Sequence, residues 1–165
     1  MIYWPAIPPA TLSATPARLD YRTLADLRYQ LRRFLRVREV AARAAGVEPQ
    51  QYLALLQIKG LEGREVATIR VLAERLQIHH HAMVQLIDRL VDRRMVERRR
   101  QGRDRREVVV RLRPSGEGVL RRLARHSIVE LTTEGPGLVS SLMRLVRQSN
   151  RSRAASRNGT GKAKP

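Results

Sequence analysis

A chain of 165 residues is long enough for one compact domain with a sizeable core. Its 33 Lys and Arg outnumber its 15 Asp and Glu, and the resulting charge of +18 must be solvated or matched by a polyanion, a footprint of nucleic-acid binding. Cysteine is absent, which excludes disulfides, thiolate metal sites and thiol redox sensing, and no apolar run approaches the ~20 residues of a membrane span. Only Lys59, Lys162 and Lys164 are lysines. A GC-rich genome would favour Arg over Lys without any functional demand, but such a bias does not explain the excess of bases over acids.

Pro5, Pro8, Pro9 and Pro16 make residues 1–20 an extended arm. No basic segment precedes its apolar patches, so it does not read as a signal peptide, and a cytoplasmic location without membrane contact is expected. Residues 149–165 contain no acid and little that is apolar, and read as a disordered basic tail. The body, residues 21–148, is predicted to be mostly helical.

Leu24, Leu27, Leu31, Phe34 and Leu35 recur at helical spacing in a first helix ending near Gly46. A second starts at Pro49, where proline suits the first helical turn, and carries Tyr52, Leu53, Leu56 and Leu61. A third, brief helix covers "RVLAERLQI". The stretch "HHHAMVQLIDRL" opens a fourth, with Met83, Leu86, Ile87, Leu90 and Val91 on one stripe. The period then changes. "MVERRRQGRDRREVVVRL" reads as two short strands around a basic turn at Gly102, with Val108, Val110 and Leu112 alternating with Val109 and Arg111. Two further helices follow, broken at Gly135-Pro136. The fold class is therefore mainly α with a small β-wing (α+β), in the order of a winged helix-turn-helix whose second helix enters the major groove of DNA.

Three of the four histidines stand together at His79, His80 and His81. Consecutive helical residues diverge by about 100°, so the three cannot converge on one ion, and no metal site or cofactor is expected. With the apolar stripe inward, His81, Gln85 and Arg89 form an outward row beside Ala82, His79 falls at the N-cap and His80 on the flank. Imidazoles at a helix N-terminus can donate to phosphate, Gln85 can pair with adenine, and Arg89 with guanine or phosphate. A merely solvated polar face is the plainer reading. The hairpin downstream favours DNA: Glu97 to Arg113 holds eight arginines against three acids, with Arg103, Asp104, Arg105 and Arg106 at its tip. Such a tip can lay guanidinium groups into the minor groove, with Asp104 orienting Arg106.

"LAERLQI", "LIDRLVDRRMVERRR" and "GRDRREVVVRLRPSGEGVL" together resemble the MarR family of bacterial winged helix-turn-helix transcriptional regulators, over roughly Tyr21 to Val146. The wing's Asp-x-Arg signature matches Asp104 and Arg106, followed by a valine-rich strand, a leucine at Leu112 and a glycine at Gly116. The resemblance implies N- and C-terminal dimerisation helices, a homodimer on a pseudo-palindromic operator in double-stranded DNA, usually repression, and in many members release by a small-molecule effector. Tyr29, Arg32 and Tyr52 are the candidate effector contacts. Departures stand at His79, His81 and Ala82, where the family has small hydroxyl residues, and at Gln85, often arginine. Arg94 replaces a common glycine, and Glu48 and Arg113 replace good helix caps.

Two other functions are weighed against regulation. A non-specific basic DNA- or RNA-coating protein would rely on the tail, but aromatics make up only 4% of the chain and stacking platforms for RNA are lacking. Catalysis is not expected, since no nucleophile–base arrangement or phosphate-binding loop is recognisable.

Overall fold

The computed structural model describes residues 21–100 and 108–159. In chain order it contains α1 (Tyr21–Ala44), α2 (Pro49–Leu61), α3 (Ile69–Leu76), α4 (His80–Asp92), β1 (Val96–Arg100), β2 (Val108–Leu112), α5 (Pro114–Thr133) and α6 (Gly135–Gly159). The architecture is a winged helix: mainly α, with a two-stranded antiparallel sheet placed directly after α4. The described residues form two units, one of 38–128 and one of 21–37 with 129–159. The predicted arm of residues 1–20 lies outside the described residues.

The first unit holds the core. Leu55, Ile58, Leu72, Met83, Ile87 and Leu90 are its largest fully buried side chains, together with Val96 and Val110 from the hairpin. Burying each aliphatic side chain of this size contributes about 1.5–3 kcal/mol before entropy is counted. α1 ends at Gly46, whose φ of 79° lies in the left-handed region, while Val47 N–H reaches back to Ala42 O at 3.0 Å. Pro49 then starts α2, and Glu48 N–H donates to Gln51 Oε1 at 3.1 Å, a side-chain closure that offsets the missing hydroxyl cap. α2 buries Tyr52, Leu55, Ile58 and Leu61, whereas Leu53 and Leu56 are exposed, contrary to the predicted stripe. The helix is apolar nearly all round, so its sequence pattern does not select a face.

β1 pairs with β2 from Val96↔Leu112 to Arg100↔Val108. Alternation predicts a half-buried β2, yet Val109 and Val110 are both buried. The segment before α3 explains this: Thr68 bridges to Val109, and Val110 N–H donates to Ala67 O at 2.9 Å. The wing thus gains a short third chain at its root.

In the second unit Arg33 pairs with Glu134 at 2.8 Å, and Gly137 lies against the Gln30 amide. Leu24, Leu31 and Leu35 of the first predicted stripe are exposed, and Leu27 and Phe34 only partly covered. α6 runs on to Gly159, into the stretch that composition reads as a tail. Alanine and arginine at 151–157 have good helix propensity even without an apolar face. No described helix is long and apolar enough to cross a membrane.

Candidate nucleic-acid interface

The site begins at a tight turn. Thr68 caps α3, its Oγ1 accepting from Val71 N–H at 3.3 Å, and α3 stops at Gln77, which takes φ 54°. Ile78 N–H returns to Ala73 O at 3.1 Å. Two residues later α4 starts, with His79 as N-cap in extended conformation, φ −64° and ψ 148°. Its carbonyl takes Met83 N–H at 3.0 Å, but its side chain makes no capping bond.

Met83, Leu86, Ile87 and Leu90 anchor α4 in the core, which turns the opposite face outward. His80, His81, Gln85 and Arg89 are exposed, and His79 and Ala82 are partly covered. The row of His81, Gln85 and Arg89 therefore occupies one continuous open strip. One relationship is not visible on a helical wheel: the rings of His79 and His81 stack, with centroids 5.4 Å apart and planes inclined by 14°. Because His79 lies outside the helix proper, its extended backbone folds its ring over a residue two positions on. Among the described residues no group of His, Asp and Glu could hold a metal ion.

The far end of α4 is held as firmly as its start. Arg93 Nη1 donates to Gln51 Oε1 at 2.9 Å and Nη2 to Gly46 O at 2.6 Å, tying α4 to the α1–α2 junction. Arg94 adopts φ 55°, so that the chain can reverse into β1, with Met95 N–H on Leu90 O at 2.9 Å. On β1, Arg98 reaches α4, its Nη1 lying 2.5 Å from Asp88 Oδ1. Residues 97, 99, 111 and 113 share the other face. There Glu97 pairs with Arg99 and lies 3.6 Å from Arg113 Nε. Sequence reasoning missed Arg93 and Arg98 as supports, since their partners are 42 and 10 positions away. The predicted tip residues Arg103, Asp104, Arg105 and Arg106 lie outside the described residues.

The candidate effector residues are not brought together within one unit. Tyr52 is buried in the first, with its hydroxyl 3.3 Å from Ser127 Oγ, while Arg38 donates to the Ser127 carbonyl at 3.3 Å. Tyr29 and Arg32 belong to the second unit and are exposed. A cleft of about 670 Å³ opens in the first unit between the turn after α2 and the wing, against Ile58, Arg64, Val66, Glu97, Arg99 and Arg111. None of the three candidates lines it.

Residues 45–107 match the family model described as MarR family. No curated protein matches the sequence. Among solved structures the chain is similar to AbsC, a MarR family transcriptional regulator from Streptomyces coelicolor (19% identity, 87% of this chain and 99% of that one, TM-score 0.63). It is also similar to apo MarR from E. coli (20%, 79% and 96%, TM-score 0.59). A mutant of that protein complexed with operator DNA aligns at 20% identity over 73% of this chain and 88% of that one, with a TM-score of 0.58.

Proposed function

We propose that this chain, which carries the MarR family pattern over residues 45–107 in a winged-helix fold, is a sequence-specific DNA-binding transcriptional regulator. In this reading it acts as a homodimer on a pseudo-palindromic operator and represses. One observation carries the reading: α4 offers an unobstructed strip of His81, Gln85 and Arg89, with His79 and His80 at its positive end and Ala82 beside it. Gln85 makes the base contact, Arg89 a base or phosphate contact, and the histidines approach the backbone. The tip residues Arg103, Asp104, Arg105 and Arg106 serve the adjacent minor groove.

The second unit supports the dimer. Tyr21, Tyr29, Val129, Val139, Leu142 and Met143 are each about half or more exposed, an open apolar surface of the kind that partner subunits cover. Release by a small-molecule effector belongs to the same proposal.

Selection from a random duplex library with the full chain tests the reading. Recovery of a two-fold-symmetric sequence with half-sites about ten base pairs apart is the expected result. Enrichment of no sequence would favour the alternative of a non-specific coating protein, for which the tail of residues 149–165, basic and without a single acid, is the main contact.

A further inference from the structure

Asp88 lies seven residues after His81 and three after Gln85, on the same open face of α4. A duplex laid along that face therefore meets a carboxylate. The structure supplies its counter-charge from the wing. Arg98 Nη1 is 2.5 Å from Asp88 Oδ1, and Nη2 donates to the Val84 carbonyl at 3.4 Å, so one guanidinium joins β1 to two groups about one turn apart on α4. Asp88 and Arg98 are 48% and 34% exposed, and pairs this accessible add little to folding stability. Their geometry nevertheless fixes where the root of the wing stands relative to the helix, because a guanidinium bonds along set directions.

We infer that Asp88 is a specificity-determining residue that works through Arg98, both positioning β1 against α4 and withholding a guanidinium from phosphate. This rests on the proposed DNA-reading role of α4. A cation free to meet any phosphate raises affinity for all sequences alike, because phosphates carry no sequence information. Held by Asp88, Arg98 adds nothing to that indiscriminate part, and helix and wing meet one duplex in a fixed relation.

The test compares wild type, Asp88→Asn and Asp88→Glu by fluorescence anisotropy across a salt series. The probes are a duplex recovered by selection and a scrambled duplex of equal length. Asp88→Asn should bind the scrambled duplex more tightly, with a salt slope steeper by about 0.9, and lose about tenfold in the selected-to-scrambled ratio. Asp88→Glu should keep the wild-type ratio and slope. In an Arg98→Gln background the same Asp88→Asn change should no longer steepen the slope. Persistence of the steepening there, or an unchanged ratio in Asp88→Asn, overturns the inference while leaving the proposed function standing. Equal binding of both duplexes by the wild type overturns the proposed function, and the inference with it.

Discussion

Arg93 and Gln51 join the end of helix α4 to the first turn of α2 through a hydrogen bond of 2.9 Å. Gln51 is buried, and the same amide oxygen accepts the Glu48 N–H at 3.1 Å, so removing Arg93 exposes a shared acceptor and the Gly46 carbonyl at once. Arg93→Ala should therefore cost about 1–3 kcal/mol in urea unfolding. A change within ~0.5 kcal/mol would show that solvent replaces both bonds.

Gly116 and Gly118 make a matched pair on α5. A Cβ at Gly116 would sit 2.2 Å from the Met95 carbonyl oxygen, which is backbone and cannot swing away; at Gly118 nothing lies within 4 Å. Gly116→Ala should destabilise by about 1–3 kcal/mol, whereas Gly118→Ala should stabilise by about 0.5–1 kcal/mol. Thermal midpoints of the two variants should move in opposite directions.

Arg94 holds φ 55° where an L side chain is strained. Its N–H bonds to the Val91 carbonyl at 2.8 Å, and that bond does not depend on the side chain. Arg94→Gly should relieve the strain and raise stability by about 0.5 kcal/mol after the added freedom of the unfolded chain is subtracted. Chemical denaturation at neutral pH reads this directly.

Lys59 bridges α2 and α5, with its Nζ 2.8 Å from Glu117 Oε1 and 2.7 Å from Glu62 Oε2. The hydrogen bond from Lys59 holds the Glu117 carboxyl below its ordinary 4.5, and bonds to Glu117 and then Glu62 hold Lys59 above 10.5. The lowered carboxyl stabilises the fold fully above its ordinary range and ceases to do so as pH falls through the lowered value. The raised ammonium acts oppositely, its contribution fading as pH rises beyond its range. Glu117→Gln should flatten the acid limb of stability against pH below about 4.5, and high salt should weaken the contrast because both groups are exposed. Denaturation midpoints over a pH series give the answer.

Much of α4 was legible in its sequence because Met83, Leu86, Ile87 and Leu90 repeat at a clean helical period, which also fixes where His81, Gln85 and Arg89 point. The hairpin was legible from its change of period. The turns were not: Gln77 and Arg94 take left-handed backbone without being glycine, so no turn residue marks them. The His79–His81 stack depends on where the helix starts, and a wheel assumes that it has already started. Asp88–Arg98 and Tyr52–Ser127 require the tertiary register of separate elements, which local periodicity does not encode. In α2 the signal itself was degenerate, since apolar residues surround the helix.

Whether the open face of α4 reads bases is decided by measuring Gln85→Ala against the selected duplex and its single-base-pair variants. Discrimination should fall by about 1–3 kcal/mol at one base pair in each half-site, with the other positions and the salt slope unchanged. A uniform loss of affinity over all positions, or no loss at any, would contradict base reading by this face.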